Sequence, residues 1–131
     1  MAGGREQPVT LDAVTEFIEN LFETKDNPRF REESGLTVHG RETVKTVGYC
    51  TNLTLAAVAE AVKNDIDLMI THHDAWDFIF GLKEACQEKL KAHGISHYFN
   101  HLPLDDCDFG TNSTLMAELG ADIIARTNES D

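Results

Sequence analysis

The sequence has no long apolar run, few cysteines and few basic residues, and each absence excludes a class of protein. No stretch approaches the ~20 apolar residues of a membrane-spanning helix, and the first eight residues contain no apolar core of a secretion signal. Lys and Arg number 11 against 23 Asp and Glu, for a formal charge of −12, which argues against a nucleic-acid partner. The three cysteines are widely spaced with no Cys-x-x-Cys pair, which favours reduced thiols in the cytoplasm.

The 131 residues are enough for one domain of common size. We expect residues 1–8 to be a flexible leader and residues 9–131 to be the domain. From Val44 onward, strand-like apolar segments alternate with helix-like segments. This alternation predicts an α/β fold with a parallel or mostly parallel sheet and helices on its faces. The expected strands are 35–40, 44–50, 67–71, 95–100 and 121–127, and the expected helices are 11–22 with Thr10 as N-cap, a helix capped by Thr54, 82–93 closed by Gly94, and a helix capped by Asn112.

One edge of this sheet is where a functional site is expected. Right-handed crossovers place the carboxyl ends of parallel strands on the same edge. Three loops therefore meet there, at residues 51–53, 72–77 and 101–110. Open α/β sheets bind their ligands outside these strand ends.

Two adjacent histidines, His72 and His73, follow the second strand of this series. Neighbouring side chains in an extended segment point to opposite sides, so such a pair is better suited to two ions about 3.5–4 Å apart than to one. The alternative is a pair of loop histidines that contact only water.

His101 and Asp105 follow the next strand and add a nitrogen and a carboxylate. Asp105 is a candidate to bridge two cations, and His101 is either a ligand or a group that orients one. His97 shares a strand face with His101, and for it a buried, hydrogen-bonded role is favoured over ligation. Imidazole and carboxylate donors suit Zn, Mn, Fe or Ni.

Three motifs, in this order and spacing, resemble the NIF-three-like dinuclear-metal family, some members of which carry the name GTP cyclohydrolase type 2. They are Ile-Thr-His-His at 70–73, His-Leu-Pro-Leu-Asp at 101–105, and the segment 110–120. The early Gly-Leu-Thr-Val-x-Gly at 35–40 is similar to a further family segment. The likeness extends from about Leu11 to Ala121.

The resemblance implies a specific metal centre and assembly. His72 and His73 would be ligands of separate metal ions, Asp105 a ligand at the same centre, and His101 a residue close to it. The resemblance also implies one lobe of a two-lobed fold and ring-shaped homo-hexamers whose metal sites face an internal cavity.

The sequence departs from the family in three places. Glu33-Ser34 stands where the family has Asp-Asn, and residues 50–52 lack the family's strand-end Asp. The His and Glu that complete the two-metal site lie in the family's second lobe, and they have no counterpart here. We therefore expect either the N-terminal portion of a longer product or a shortened form with an incomplete centre.

These observations lead to two functional hypotheses. The first is a divalent-metal-binding protein with a dinuclear, hydrolase-like centre that acts on a nucleotide or another small molecule; the sequence identifies no catalytic residue. The alternative is a non-enzymatic metal-binding scaffold or interaction protein. Under either hypothesis we expect a cytoplasmic homo-oligomer that binds neither nucleic acid nor membrane.

Overall fold

The structure, a computed structural model, describes residues 8–75 and 82–121 of the chain. The expected leader and the strand expected at 121–127 lie almost wholly outside these ranges. The helices are α1 (Leu11–Leu21), α2 (Pro28–Glu32), α3 (Leu55–Lys63), α4 (Lys83–Ala92), α5 (Leu102–Asp106) and α6 (Thr111–Glu118), with a 3-10 turn at Thr24–Asp26. The strands are β1 (Val9–Thr10), β2 (Ser34–Val38), β3 (Thr43–Val44), β4 (Val47–Asn52), β5 (Leu68–His73) and β6 (Ser96–Asn100).

The main sheet has the strand order β2-β6-β5-β4, and the short strands β1 and β3 pair separately. β4, β5 and β6 are parallel, with Val47 opposite Leu68 and Leu68 opposite Ser96. β2 runs antiparallel to β6. The sheet is therefore mixed and not purely parallel. The chain reverses direction through a short connection between β2 and β4, whereas a parallel return needs a long crossover.

Helices cover both faces of the sheet, as the sequence predicts. Because adjacent strand residues face opposite ways, Leu68 and Met69 of β5 belong to different hydrophobic clusters. The cluster under α1 contains Leu11, Ile18, Val44, Leu68 and Tyr98. The cluster under α3 and α4 contains Val38, Leu53, Val58, Ala61, Met69, Ala75, Cys86, Leu90 and Ile95. β5 is buried on both faces, which explains its continuous apolar run.

The helix-start predictions are confirmed at two positions and wrong at a third. The Thr10 hydroxyl accepts a hydrogen bond from the Ala13 amide, and the Thr54 hydroxyl accepts one from the Ala57 amide. These side chains satisfy N–H groups that the first helical turn cannot pair internally. The final helix instead begins at Thr111 after Gly110, with no side-chain cap, so Asn112 is not its cap. A Cβ atom at Gly110 would overlap the carbonyl oxygen of Leu104, so the tight approach of α5 to α6 requires glycine there.

The strand expected at 44–50 is divided into β3 and β4, which belong to different sheets. Further differences from expectation lie at the carboxyl edge of the main sheet. β5 continues through His72 and His73 instead of ending before them, and part of the expected 101–110 loop forms α5. Gly94 ends α4 in a left-handed conformation (φ 66°), as predicted. Among the described residues, no helix has the length and apolarity needed to cross a membrane.

Candidate metal centre

Three histidine rings meet at the carboxyl edge of the sheet. His72 and His73 end β5, and His101 follows β6, its parallel neighbour. The ring centres of His72 and His73 are 4.6 Å apart. His101 lies 4.9 Å from His72 and 5.0 Å from His73, centre to centre. Each of the three residues offers a potential ligand atom within 4.8 Å of the other two.

The close approach of His72 and His73 differs from the expectation that adjacent strand residues point to opposite sides. That rule applies to the directions of the two Cα–Cβ bonds. The imidazole rings extend further from the backbone, and rotation about the side-chain bonds lets the two rings approach each other at the end of the strand. Rings at this separation fit either a single ion or two ions about 3.5–4 Å apart, so two separate ions stay a prediction.

Each of the three histidines uses its Nδ1 atom in a hydrogen bond within the protein. The acceptor is the Asn100 carbonyl oxygen for His72 (3.2 Å) and the Asn52 Oδ1 for His73 (2.7 Å). For His101 it is a carboxylate oxygen of Glu33 (3.2 Å). A histidine that donates its Nδ1–H carries the lone pair on Nε2, which is the arrangement of a metal ligand oriented by an outer acceptor.

Asp105 lies against this group of rings. Its Oδ2 atom is 3.3 Å from the Nε2 of His72 and 4.0 Å from the Nε2 of His101. Its other oxygen, Oδ1, accepts a hydrogen bond of 2.7 Å from the Thr111 hydroxyl at the start of α6. The structure thus places together all four residues that the sequence singles out at this edge: His72, His73, His101 and Asp105.

The surroundings of His73 favour its neutral form. Partial burial lowers the pKa of His73 below its ordinary value, and the adjacent rings of His72 and His101 lower it further. The Asp105 carboxylate acts in the opposite direction. An unprotonated imidazole is the form that coordinates a metal ion. The donors present, imidazole nitrogen and carboxylate oxygen, fit a divalent transition metal.

His97 is separate from this cluster and is satisfied by the protein. Its side chain is fully buried, with Nδ1 against the Thr37 hydroxyl and Nε2 2.7 Å from the Thr71 hydroxyl. Burial lowers the pKa of His97 to about 4, the Asp74 carboxylate raises it and Lys83 lowers it. The predicted buried, hydrogen-bonded role is confirmed.

Sequence reasoning missed the outer partners Glu33, Asn52 and Thr111. Asn52 ends β4, and its place on this edge follows from the parallel order. Glu33 precedes β2, and only the antiparallel pairing of Ser34 with Asn100 brings it beside His101. No pattern in the sequence indicates that pairing, because it joins segments far apart in the chain.

The chain matches the family model described as Duf34/NIF3 (NGG1p interacting factor 3) over residues 9–130. It is 28% identical to a GTP cyclohydrolase 1 type 2 homolog of Pyrococcus horikoshii over 110 residues, which are 80% of this chain and 44% of the relative. A protein of the same name from Salmonella typhimurium is 36% identical over 93 residues, which are 66% of this chain and 38% of the relative.

Solved structures of other proteins are also similar to this chain. TTHA1606 from Thermus thermophilus superposes with a TM-score of 0.69 at 29% identity, over 86% of this chain and 48% of that one. Protein ybgI, described as of unknown function, superposes with a TM-score of 0.72 at 29% identity, over 86% and 47%. The chain spans less than half the length of these relatives.

Proposed function

Because the chain belongs to the Duf34/NIF3 family, we propose that it binds divalent transition metal ions, Zn, Mn, Fe or Ni, at the carboxyl edge of its sheet. His72, His73 and Asp105 are the proposed ligands. The observation that carries the proposal is the convergence of three imidazoles and one carboxylate from two parallel strand ends. The oriented Nδ1 atoms support it, since a hydrogen bond at that nitrogen directs the other nitrogen to the ion.

We further propose that the loaded centre is hydrolase-like and, as in the family to which the chain is similar, dinuclear. A bound divalent ion acts as a Lewis acid and lowers the pKa of water beside it. The chain's own contribution is to hold the imidazoles in place and to set one carboxylate charge against the ions. Relatives named GTP cyclohydrolase 1 type 2 homologs make GTP the first small molecule to test as substrate.

The competing function is a non-enzymatic metal-binding scaffold. The hydrolase-like centre and the scaffold differ in whether a coordination position on the ion stays open to substrate. Catalytic metal sites keep such a position open, and structural sites do not. Turnover of GTP by the metal-loaded protein, with loss of turnover on removing the metal, favours the hydrolase. A loaded protein that turns over neither GTP nor other nucleotides favours the scaffold.

Self-association forms part of the same proposal. Val47 (48%) and Tyr49 (64%) expose apolar side chains on the same face of β4, which is an edge strand of the main sheet as described. An exposed apolar edge strand offers a surface to which another chain can bind. We propose that copies of this chain associate, which a solution mass measured on the same samples tests directly.

The metal proposal is tested by elemental analysis of protein purified without chelators. We expect the wild type and a His93→Ala control, which alters an exposed histidine away from the edge, to carry transition metal. The His72→Ala/His73→Ala variant should lose most of it while its circular dichroism stays unchanged. Equal metal content in the double variant and the control would contradict the assignment.

A further inference from the structure

We infer that two copies of this chain associate through β4, so that their main sheets join edge to edge into one continuous sheet. This inference rests on the self-association proposed above and specifies its surface and its partner, a second copy of the chain. Its starting point is the open edge of β4, which pairs with β5 and, among the described residues, with no strand on its other side. The backbone N–H and C=O groups along an open edge are available to another strand.

β4 lacks the features that protect edge strands from pairing, whereas β2 at the opposite edge has one of them. Proteins protect edges with charged side chains, prolines, bulges or very short strands. The pairing of β2 with β6 contains an irregularity between Leu36 and Val38, where the register shifts. β4 spans Val47–Asn52 with neither a charged side chain nor a proline, and its register with β5 does not shift. Of the two edges, β4 is therefore the one suited to pairing.

The absence of charge around β4 favours a second copy of the chain as the partner. The chain has a formal charge of −12, so two copies repel each other over most of their surfaces. Residues 46–59 contain no Asp, Glu, Lys, Arg or His, and they include all of β4 and the first part of α3. Two copies can approach each other here without placing like charges in contact. Depletion of charged residues is also typical of the core of protein interfaces.

The two faces of β4 offer different space to an added strand. Val47 and Tyr49 are exposed on the face that carries α1, because Val47 lies opposite Leu68 of the cluster under that helix. On the other face, Gly48, Cys50 and alanines of α3 line an open groove of about 350 Å³. Side chains of an added strand point alternately to the two faces. Large side chains therefore fit against Val47 and Tyr49, and small ones fit the groove.

A copy of β4 supplies this alternation when the two strands pair antiparallel about a two-fold axis at Tyr49. Tyr49 then lies opposite Tyr49 of the second copy, and an aromatic cross-strand pair stabilises an antiparallel sheet. Val47 lies opposite Thr51 of the second copy on the same face. In the groove, Gly48 lies opposite Cys50 of the second copy, and the missing side chain of Gly48 leaves room for the thiol. This register keeps the pairing within the bounds of β4.

The test is the solution mass of the purified full chain, measured by sedimentation over a range of concentrations. The Val47→Lys/Tyr49→Lys variant sets ammonium groups of the two copies against each other, and it should raise the dissociation constant about 100-fold. The matched control is Phe17→Lys/Leu21→Lys, which makes the same change of charge in α1. Leu21 (48%) and Phe17 (66%) match the exposure of Val47 and Tyr49, and the control should keep the wild-type mass.

A second pair of variants tests the register without adding charge. In a Cys50→Ser background, Tyr49→Cys places the Cβ atoms of the two introduced residues about 4.5–5.5 Å apart, close to their separation in a disulfide. Oxidised glutathione should therefore link this variant into covalent dimers. Phe17→Cys in the same background is the control, because its side chain is similarly exposed but lies on α1; it should stay unlinked.

The outcomes separate this inference from the proposed self-association. A wild-type assembly that persists in the double lysine variant, or equal linkage of the two cysteine variants, would overturn the inference and leave self-association standing. A monomeric wild type, as expected if residues 122–131 of the same chain cover β4, would overturn both. Neither result bears on the proposed metal binding, which elemental analysis tests separately.

Discussion

His97 and His73 occupy neighbouring strands of one sheet, but their surroundings differ completely. His97 lies within β6 with no exposed surface, and hydroxyl groups of Thr37 and Thr71 contact its two nitrogens. His73 lies at the end of β5, with one nitrogen bound to Asn52 and its ring beside two other imidazoles. Protein hydroxyls contact both nitrogens of His97, whereas at the edge a potential ligand atom from each of three histidines lies within 4.8 Å of the other two.

This difference predicts that the two histidines contribute unequally to the stability of the fold. A fully buried polar group stabilises only if all its hydrogen bonds are made, and removing it leaves its partners unsatisfied. The side chain of His73, by contrast, lies at the edge of the sheet. Partial burial and the adjacent rings of His72 and His101 lower its pKa, and we expect it to contribute little to the stability of the metal-free protein.

The largest expected difference is in how far alanine at His97 and alanine at His73 lower the free energy of unfolding. His97→Ala should lower the free energy of unfolding of metal-free protein by about 3–5 kcal/mol, because it leaves a cavity and two unpaired hydroxyls. His73→Ala should lower it by less than about 1 kcal/mol. Urea unfolding at neutral pH measures both, and similar losses for the two variants would refute the comparison.

A smaller effect is expected from acidification. His97 has a pKa of about 4 in the fold against an ordinary value of 6.5, so between these values the unfolded chain binds a proton that the folded protein does not. The contribution of His97 to the free energy of unfolding is about 3 kcal/mol. It is fully present above pH 6.5 and is lost as the pH falls to 4.

Among the described residues, the charged groups that act on His97 are Asp74, 3.9 Å away, and Lys83, which pairs with Asp74 at 3.2 Å. Urea unfolding of metal-free protein across this pH range should show a shallower decline for His97→Gln than for the wild type. A residual slope remains in the variant, because the pKa of His73 is lowered too. Equal slopes would show that His97 is not the group responsible.

The smallest expected effect concerns Thr111, which holds one oxygen of Asp105. Thr111→Val should weaken metal binding about tenfold through loss of this outer hydrogen bond, with the exposed Thr114→Val as control. Calorimetric titration of Zn²⁺ into both variants measures the change. Unchanged affinity in Thr111→Val would mean that Asp105 needs no support from α6.

Local signals in the sequence are sufficient for most elements and for the main site residues. Thr10 and Thr54 act as caps because capping depends on a few neighbouring residues. His72, His73 and Asp105 are expected together because parallel strands end on one edge. The order of the strands along the chain gives neither their order in the sheet nor their direction. The antiparallel pairing of β2 with β6, and with it the Glu33–His101 contact, is therefore not predictable from the sequence.

The edge of the sheet is assembled from residues that are remote in the chain. Glu33 and His101, joined by both backbone and side chain, are separated by 68 positions. Contacts of such separation form late in folding, because closing a long loop costs entropy that only the finished sheet repays. The contact between Glu33 and His101 can therefore form only once β2 has paired with β6.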